Sequence, residues 1–478
     1  MLTPPDASAQ DVFSTGDMVG DLACELFPDG REIPFEGTSF TEKIALTQQW
    51  INEGVEDIFE ATFSYQGILV MVDILHKTAD GSWEIYEVKS STWNEKKKLK
   101  DIEKYIHDAS IQYYVLKGCG LNISKTSITL LNSNYTFKNQ LDIEALFTHV
   151  DVSKEVLELQ AEIPERLQIF QQCLSNTKDE PDVDIGAHCK KPYPCDAYDY
   201  CWKAQKKIPD YSVFSALRMG KKSLELYKCG IVNVEDIPDG IATDNQQQVI
   251  DAWKHKSTHI DTNAIRDFVA SLDSPIAHFD FETFQSAVPF FNGQRPNQKV
   301  CFQYSLHIED KDGATEHKEF LAEAGGDPRP ALIQQLLKDI PDHGSVLVYN
   351  ESFEKSRLKE LANNFPDAAN GLMAIHDRII DLAKPFKDKL YYDYRMKGGY
   401  SIKMVMPLLV PEMEAAYKEL DLIHNGGEAM DIFPKLASMD DQERVLYRKA
   451  LLEYCKLDTL SMVEILKKLR GATAMGAT

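Results

Sequence analysis

The chain has 478 residues, which is too long for one ordinary hydrophobic core, so two or three domains are expected. Hydrophobic residues make up 43% of the sequence, and no apolar run reaches the length of about eighteen residues that a membrane helix needs, which argues against a membrane protein. A net charge of −23 argues against a generic nucleic-acid coat protein. The opening MLTPPDASAQ lacks the basic and apolar regions of a signal peptide, so a cytoplasmic protein is expected.

Two helices are predicted before the first sheet. Apolar residues recur at near-helical spacing within residues 11–26, and the Phe-Pro-Asp-Gly sequence at 27–30 ends that helix in a turn. Residues 41–53 predict the second helix. A hairpin follows, because the apolar runs 68–75 and 83–88 flank a loop that contains an Asp-Gly turn signal.

Three ionisable residues interrupt these two predicted strands. Asp73 lies in the first strand, and Glu87 and Lys89 lie in the second, two residues apart and therefore on one face. Because buried charges need partners, we interpret the two carboxylates as ligands of a divalent cation and the lysine as a group that positions the attacking water. A solvated surface ion pair is the alternative, and the acid inside the first apolar run favours the metal site.

Neighbouring stretches support this interpretation. Glu60 lies in an earlier strand-like run, and the helix-like residues 100–116 carry Asp108 and Gln112 one turn apart. The segment resembles the PD-(D/E)xK nuclease superfamily, and within it the RecB-like nucleases, through Asp73, Glu87-Val88-Lys89 and Gln112-Tyr113. The resemblance implies catalytic roles for one set of residues: Asp73, Glu87, Lys89 and Gln112.

Lysines 96, 97, 98 and 100 follow the second strand directly. They are typical of a local phosphate-binding patch and equally of a solvated helix face. The sequence leaves both interpretations open.

A cysteine-rich stretch follows residues 143–172, which are predicted to be mostly helical. Cys189, Cys195 and Cys201 recur at equal spacing with His188 adjacent, a pattern typical of zinc or iron–sulfur ligands. The resemblance to RecB-like nucleases implies a 4Fe–4S cluster whose fourth cysteine precedes the first helix. Zinc is the alternative, and three buried free cysteines are a third reading.

No cysteine occupies that upstream position here, so a truncation or an alternative start is expected. Cys24 and His188 are the alternatives for the fourth ligand, and neither is at the family position. The scattered remaining cysteines are interpreted as small apolar residues, namely Cys119, Cys173, Cys229, Cys301 and Cys455.

Residues 208–265 predict a helical connector. A lysine-bearing helix-hairpin for DNA is the alternative, but the Gly-rich hairpin that it requires is missing. A second strand-rich region begins at residue 276.

Four acids in the second region suggest another metal site. Asp280 and Glu282 lie two apart on an apolar strand, Glu354 begins a helix after the strand-like residues 345–349, and Asp458 follows Tyr454 by one turn in a long helix. The pattern resembles the DEDD exonucleases, the DnaQ-like branch of the ribonuclease H fold, with glutamate at 354 in place of the usual aspartate.

That chemistry uses two Mg²⁺ or Mn²⁺ ions about 3.5–4 Å apart to hold the attacking water and the leaving oxygen. The resemblance implies that Asp280 bridges the ions, that Glu282, Glu354 and Asp458 complete their shells, and that Tyr454 orients the water. Asp381 is interpreted as ordering the helix that follows it rather than as a ligand.

Lys403 lies just after a Gly-Gly sequence, in a loop that resembles one packed beside this site. It is a candidate phosphate contact, and an ordinary turn is the alternative.

Together these patterns predict an α/β multi-domain protein and resemble an uncharacterised bacterial family with two nuclease domains. The expected domains are a restriction-endonuclease-like unit at 1–207, the connector at 208–265 and a ribonuclease H-like exonuclease at 266–478. The implied function is hydrolysis of DNA, more than RNA, in repair, recombination or phage defence. An RNA exonuclease with only the C-terminal site active, and a non-catalytic nucleic-acid scaffold, are the alternatives.

Overall fold

The protein is a mixed α/β structure, described by a computed structural model over residues 7–176 and 178–474. By compactness the chain divides into two units, residues 1–197 with 286–298 and residues 198–285 with 299–478. The stretch predicted as a connector lies inside the second unit. Its described residues are mostly short helices, together with one short strand.

The first unit alternates strands and helices and then ends in helices. In chain order its elements are α1 (Ala7–Cys24), β1 (Arg31–Glu32), α2 (Phe40–Glu53), β2 (Asp57–Tyr65), β3 (Ile68–Lys77), β4 (Trp83–Trp93), α3 (Glu103–Gly118), β5 (Ile123–Asn132), α4 (Ile143–Leu146), β6 (Phe147–Asp151), α5 (Ser153–Leu159) and α6 (Ile163–Ser175).

Among these residues the strands form a single sheet in the order β1-β2-β3-β4-β5-β6. Strand β4 pairs antiparallel with β3 and parallel with β5. The predicted hairpin is confirmed, and Gly81 takes the positive φ of 80° that its turn requires. The prediction that residues 143–172 are mostly helical missed β6, which pairs antiparallel with β5.

Residues 286–298 pack as part of the first unit. The Phe137 backbone N–H donates to the Gln294 carbonyl at 2.9 Å, and the Asn297 side chain donates to the Ser90 carbonyl at 2.9 Å. Ala287 is buried in a hydrophobic cluster with residues of α1 and β4. The first unit is therefore built from two separate stretches of the chain.

The second unit begins with short helices and then forms its main sheet. Its elements are α7 (Val213–Ala216), α8 (Lys221–Lys228), α9 (Asp244–His255), β7 (Thr258–Ile260), α10 (Thr262–Ala270), β8 (Ile276–Gln285), β9 (Lys299–Glu309), β10 (Thr315–Leu321), α11 (Arg329–Asp339), β11 (Ser345–Val348), α12 (Glu351–Asn364), α13 (Ala369–Asp377), β12 (Ile379–Asp381), α14 (Lys384–Lys387), β13 (Tyr391–Asp393), α15 (Ile402–Leu409), α16 (Pro411–Lys418), α17 (Gly426–Lys435) and α18 (Asp441–Ala474).

Strand β8 is the centre of a sheet with the order β10-β9-β8-β11-β12 in the described part of this unit. It pairs antiparallel with β9 and parallel with β11, and its Phe279 and Phe281 are buried in the main core. Helix α18 packs on β8 and β9, where Gln303 donates to the Leu451 carbonyl at 2.8 Å and Ser305 bonds Thr459 at 2.7 Å. This packing brings one face of α18 against the acids of β8.

The reading of the scattered cysteines as small apolar residues holds for only part of the set. Cys301 and Cys455 are buried, whereas Cys119, Cys173 and Cys229 are exposed, so for those three it is wrong.

Candidate active sites

The first candidate site forms where β3 and β4 separate. Their ladder ends at the pair Ile74 and Tyr86, so Asp73 and Glu87 occupy the next facing positions. There the Asp73 Oδ2 atom accepts a hydrogen bond of 2.6 Å from the Val88 backbone N–H. The carboxylate thus takes the place of a ladder bond and is fixed beside Glu87.

Glu87 is the most enclosed group of this site, with 4% of its surface exposed. Its Oε1 accepts from Lys89 Nζ, and its Oε2 accepts from Gln112 Nε2 on α3 at 2.6 Å. The Gln112 Oε1 atom is itself buried and has no hydrogen-bond partner among the described residues. Four residues predicted from the sequence are therefore together: Asp73, Glu87, Lys89 and Gln112.

The electrostatics of this site favour a bound cation. Burial, and then the Glu87 carboxylate, raise the pKa of Asp73 well above its ordinary value despite the nearby Lys89 ammonium. Burial also raises the pKa of Glu60, with further contributions from Glu32 and Glu87. Although burial alone lowers the pKa of Lys89, the carboxylates of Glu87 and Asp73 outweigh it and raise that pKa, so the lysine stays charged.

Two further acids border the first site. Glu60 lies between Phe59 and Ala61, which pair with the residues on either side of Asp73, and its φ of 55° is a left-handed conformation that is costly for a non-glycine residue. Burial raises the pKa of Asp108 on α3, and Lys89 opposes that rise. Strained backbone is typical of sites whose side chains must be aimed.

The second candidate site gathers acids from β8, α12 and α18. Glu354 is 1% exposed and donates a carboxyl hydrogen bond to Asp280, which requires one of the two to keep its proton. The other Glu354 oxygen, Oε2, is buried and has no hydrogen-bond partner in the described structure. A buried carboxyl oxygen that has no hydrogen-bond partner and lies beside other acids fits the binding of a cation.

Two tyrosine hydroxyls donate to Asp458. One belongs to Tyr454, for which the sequence predicted the different role of orienting the water, and the other belongs to Tyr417 on α16. The two rings lie 6.4 Å apart, nearly edge to face. Tyr417 was not predicted, because it lies far from the other motifs in sequence and no local pattern marks it.

Burial raises the pKa of all four acids, and repulsion from neighbouring carboxylates adds to that rise for Asp280, Glu282 and Glu354. Burial and then Asp458 raise the pKa of Asp280 to about 8. Burial raises that of Asp458 to about 6, against the two tyrosine donors and Lys403. The pKa values of Glu282 and Glu354 also lie well above their ordinary range, from burial and then Asp280. The cluster therefore resists full ionisation until a cation joins it.

The donor set fits a divalent metal ion. Ligand atoms of Asp280, Glu282 and Cys455 all lie within 4.8 Å of one another. Carboxylate oxygens are the ligands that Mg²⁺ and Mn²⁺ prefer, and the orphaned oxygen of Glu354 adds a further donor. Cys455 did not figure in the sequence prediction of the site, although it is next to Tyr454 in the chain.

Other predicted residues lie at the margin of the second site. Asp381 accepts from the Asn350 and Ala383 N–H groups, both at 2.9 Å, so it orders the turn before α14 as predicted. Asn350 has a φ of 81° immediately before α12. Lys403 is exposed on α15 and lowers the pKa of both Glu282 and Asp458, which indicates that it lies near them.

The three clustered cysteines lie on either side of the unit division. Cys189 is buried and its carbonyl accepts from the Cys195 N–H at 3.0 Å in the first unit, whereas Cys201 belongs to the second unit. Cys24 lies at the end of α1, where burial raises its pKa to about 12. The iron–sulfur cluster and its fourth ligand stay predictions.

Across the described helices, none combines the length and apolar character needed to cross a membrane.

The comparisons identify relatives of about half of the chain. Residues 277–401 match a family profile described as "Domain of unknown function (DUF2779)". "Uncharacterized protein UU173" of Ureaplasma parvum is 29% identical over 240 residues, which are 47% of this chain and 34% of that protein. "Uncharacterized protein MG366 homolog" of Mycoplasma pneumoniae is 28% identical over 233 residues, or 45% and 35%. The match spans about a third of each relative, and no solved structure matches significantly.

Proposed function

We propose that this chain is a metal-dependent nuclease with two hydrolytic sites. The first unit would be a RecB-like PD-(D/E)xK nuclease, and the second a DnaQ-like exonuclease of the ribonuclease H fold. The observation that carries the proposal is the convergence of acids from three distant stretches into one cluster, in which Glu282 and Glu354 are buried and Asp280 and Asp458 are partly buried. Protein cores avoid such clusters unless a cation compensates them.

In the second unit these acids would hold Mg²⁺ or Mn²⁺, which supplies Lewis-acid stabilisation and an activated water when bound. The hydroxyls of Tyr454 and Tyr417 keep the Asp458 carboxylate oriented by donating to it. Lys403 presents an exposed ammonium beside the acids, where a phosphate oxygen of the substrate would be attracted.

In the first unit Asp73 and Glu87 would hold the metal ion. Gln112 fixes the orientation of Glu87, and Lys89 keeps its proton and offers an ammonium to the reacting water or phosphate. Lys96, Lys97 and Lys98 are exposed after β4, which supports a local phosphate contact on an otherwise acidic protein.

DNA is the proposed substrate, in repair or phage defence, by analogy with the families that the motifs resemble. The cysteines at 189, 195 and 201 would hold a 4Fe–4S cluster or zinc with a structural role. A brown protein that absorbs near 400 nm would support iron–sulfur, and a colourless zinc protein would refute it.

A second candidate is an exonuclease, on RNA or DNA, in which only the second site hydrolyses. One observation favours it. Among the described residues, the three potential metal-ligand atoms found within 4.8 Å of one another belong to Asp280, Glu282 and Cys455, which lie in the second site.

Cleavage assays on the purified full-length chain separate these candidates. End-labelled DNA and RNA oligonucleotides, single- and double-stranded, are incubated with Mn²⁺ or with chelator, using wild type, Asp73→Asn, Asp280→Asn and the double variant. We expect Mn²⁺-dependent cleavage that each single variant reduces and the double variant abolishes. Asp377→Asn, at a side chain 72% exposed, is the matched control and should cleave like wild type.

Full activity in Asp73→Asn with none in Asp280→Asn would select the single-site candidate. Activity in the double variant equal to wild type, or no metal-dependent cleavage of any substrate, would refute the nuclease proposal.

A further inference from the structure

A thiol lies inside the acid cluster of the second unit. Cys455 is fully buried, and its Sγ lies within 4.8 Å of carboxylate oxygens of both Asp280 and Glu282. It precedes Asp458 by three residues on α18, so both side chains project from the same face of that helix. The helix thus delivers a sulfur as well as an oxygen to one pocket.

The spacing of these three atoms suits a small cation. Zinc binds cysteine sulfur at about 2.3 Å and carboxylate oxygen at about 2.0–2.2 Å, so ligand atoms around it lie roughly 3.5 Å apart. A set already within 4.8 Å needs only small side-chain movements to close on such an ion. Glu354 Oε2, buried and without a hydrogen-bond partner among the described residues, is a second sign that this pocket suits a cation.

The chemistry of sulfur separates this site from an ordinary magnesium site. Mg²⁺ prefers oxygen ligands, whereas zinc and cadmium bind thiolate strongly. We propose that Asp280, Glu282 and Cys455 bind a thiophilic divalent cation, with Zn²⁺ as the physiological example. On binding, the Cys455 S–H bond is replaced by a sulfur–metal bond and the proton leaves to solvent.

This site deepens the proposed function and rests on it in one respect. Because two of its three ligands are acids of the proposed exonuclease centre, zinc excludes Mg²⁺ or Mn²⁺ from them. Zinc is therefore a competitive inhibitor of the second nuclease site.

Cadmium titration of the full-length, chelator-treated protein tests the site directly. Thiolate-to-cadmium bonds give an ultraviolet charge-transfer band, and the eight other cysteines are present in both wild type and Cys455→Ser, so their contribution cancels in that comparison. We expect Cys455→Ser to lose the amplitude of one cadmium–thiolate bond. Cys301→Ser is the matched control, since that cysteine is buried in the hydrophobic core of the same unit, and its band should equal that of wild type.

A zinc competition assay with a chromophoric chelator gives a second readout. Cys455→Ser should weaken one zinc equivalent by more than about tenfold, the smallest loss typical of a perturbed metal shell. Asp280→Asn keeps the thiol and should weaken the binding of the same zinc equivalent. This second variant tests the site even if Cys455→Ser fails to fold. An unchanged band and unchanged zinc binding in both variants would overturn the proposal.

The outcomes are independent of nuclease activity. Loss of the band without any metal-dependent cleavage would support the zinc site and refute the proposed function. Cleavage by a protein whose band is insensitive to Cys455→Ser would do the reverse.

Discussion

The acid cluster of the second unit should make the metal-free protein less stable than a variant that lacks one charge. In the folded state Asp280 has a pKa of about 8, against an ordinary value of 3.8. At pH 7 the Asp280 carboxyl of the unfolded chain is ionised about a thousand times more often than it is protonated. The carboxyl of the folded protein mostly keeps its proton at that pH. Each tenfold factor in this ratio corresponds to about 1.4 kcal/mol, so ionisation of Asp280 favours the unfolded state by about 4 kcal/mol.

Asp280→Asn removes that ionisation and weakens one hydrogen bond with Glu354, which costs about 1 kcal/mol. We therefore expect the free energy of unfolding to rise by about 3 kcal/mol at pH 7 in chelator. At roughly 2–4 °C per kcal/mol, the melting temperature of the second unit should rise by about 6–12 °C. The assay is differential scanning calorimetry of the full-length protein, with Asp377→Asn as the control.

The pH dependence and the metal dependence fix the cause. Since the folded pKa is raised, the destabilisation is absent below about pH 4 and grows until the pH passes about 8. The gain in the variant should therefore vanish near pH 4, and saturating Mn²⁺ should stabilise wild type more than the variant. A gain of equal size at pH 4.5 and 7.5, or a loss of stability at pH 7, would refute the reasoning.

Lys89→Met in the Asp280→Asn background should abolish the remaining cleavage. It should also lower the free energy of unfolding by about 3 kcal/mol, because the buried Glu87 carboxylate loses its partner. A urea denaturation curve unchanged from that of Asp280→Asn alone would contradict this prediction. Cleavage by the first site should increase with pH, because Asp73 must lose its proton before it can bind a cation. A flat pH profile would count against Asp73 as a metal ligand. Tyr417→Phe removes a hydrogen-bond donor to Asp458, so the Asp458 pKa of about 6 should rise. The affinity for Mn²⁺, measured by titration calorimetry, should therefore fall about tenfold near pH 6 and by less at pH 8. An equal loss at both pH values would assign Tyr417 a merely structural role.

Local patterns predicted the parts of the fold that local forces decide. The β3–β4 hairpin follows from two apolar runs and an Asp-Gly turn, and the long helix predicted around Tyr454 and Asp458 extends over Asp441–Ala474. Strand β6 was missed, because its five residues become a strand only by pairing with β5 and carry little periodicity of their own.

The candidate sites were predictable where acids interrupt apolar runs. Asp73 and Asp280 each stand out in a buried strand, because a charge there needs a reason. Tyr417 could not be found in this way, since its contact with Asp458 joins two helices that are distant in sequence. Cys455 lay beside a predicted residue but was interpreted as core filler, and only the packing of α18 on β8 gives it acidic neighbours.

The two-part construction of the first unit has a consequence for its biosynthesis. Residues 286–298 complete that unit, yet they leave the ribosome about a hundred residues after Ala197. At roughly 5–20 residues per second, the nascent first unit waits about 5–20 s for its last segment. During that interval the surface that Ala287 covers is open to solvent and to chaperones.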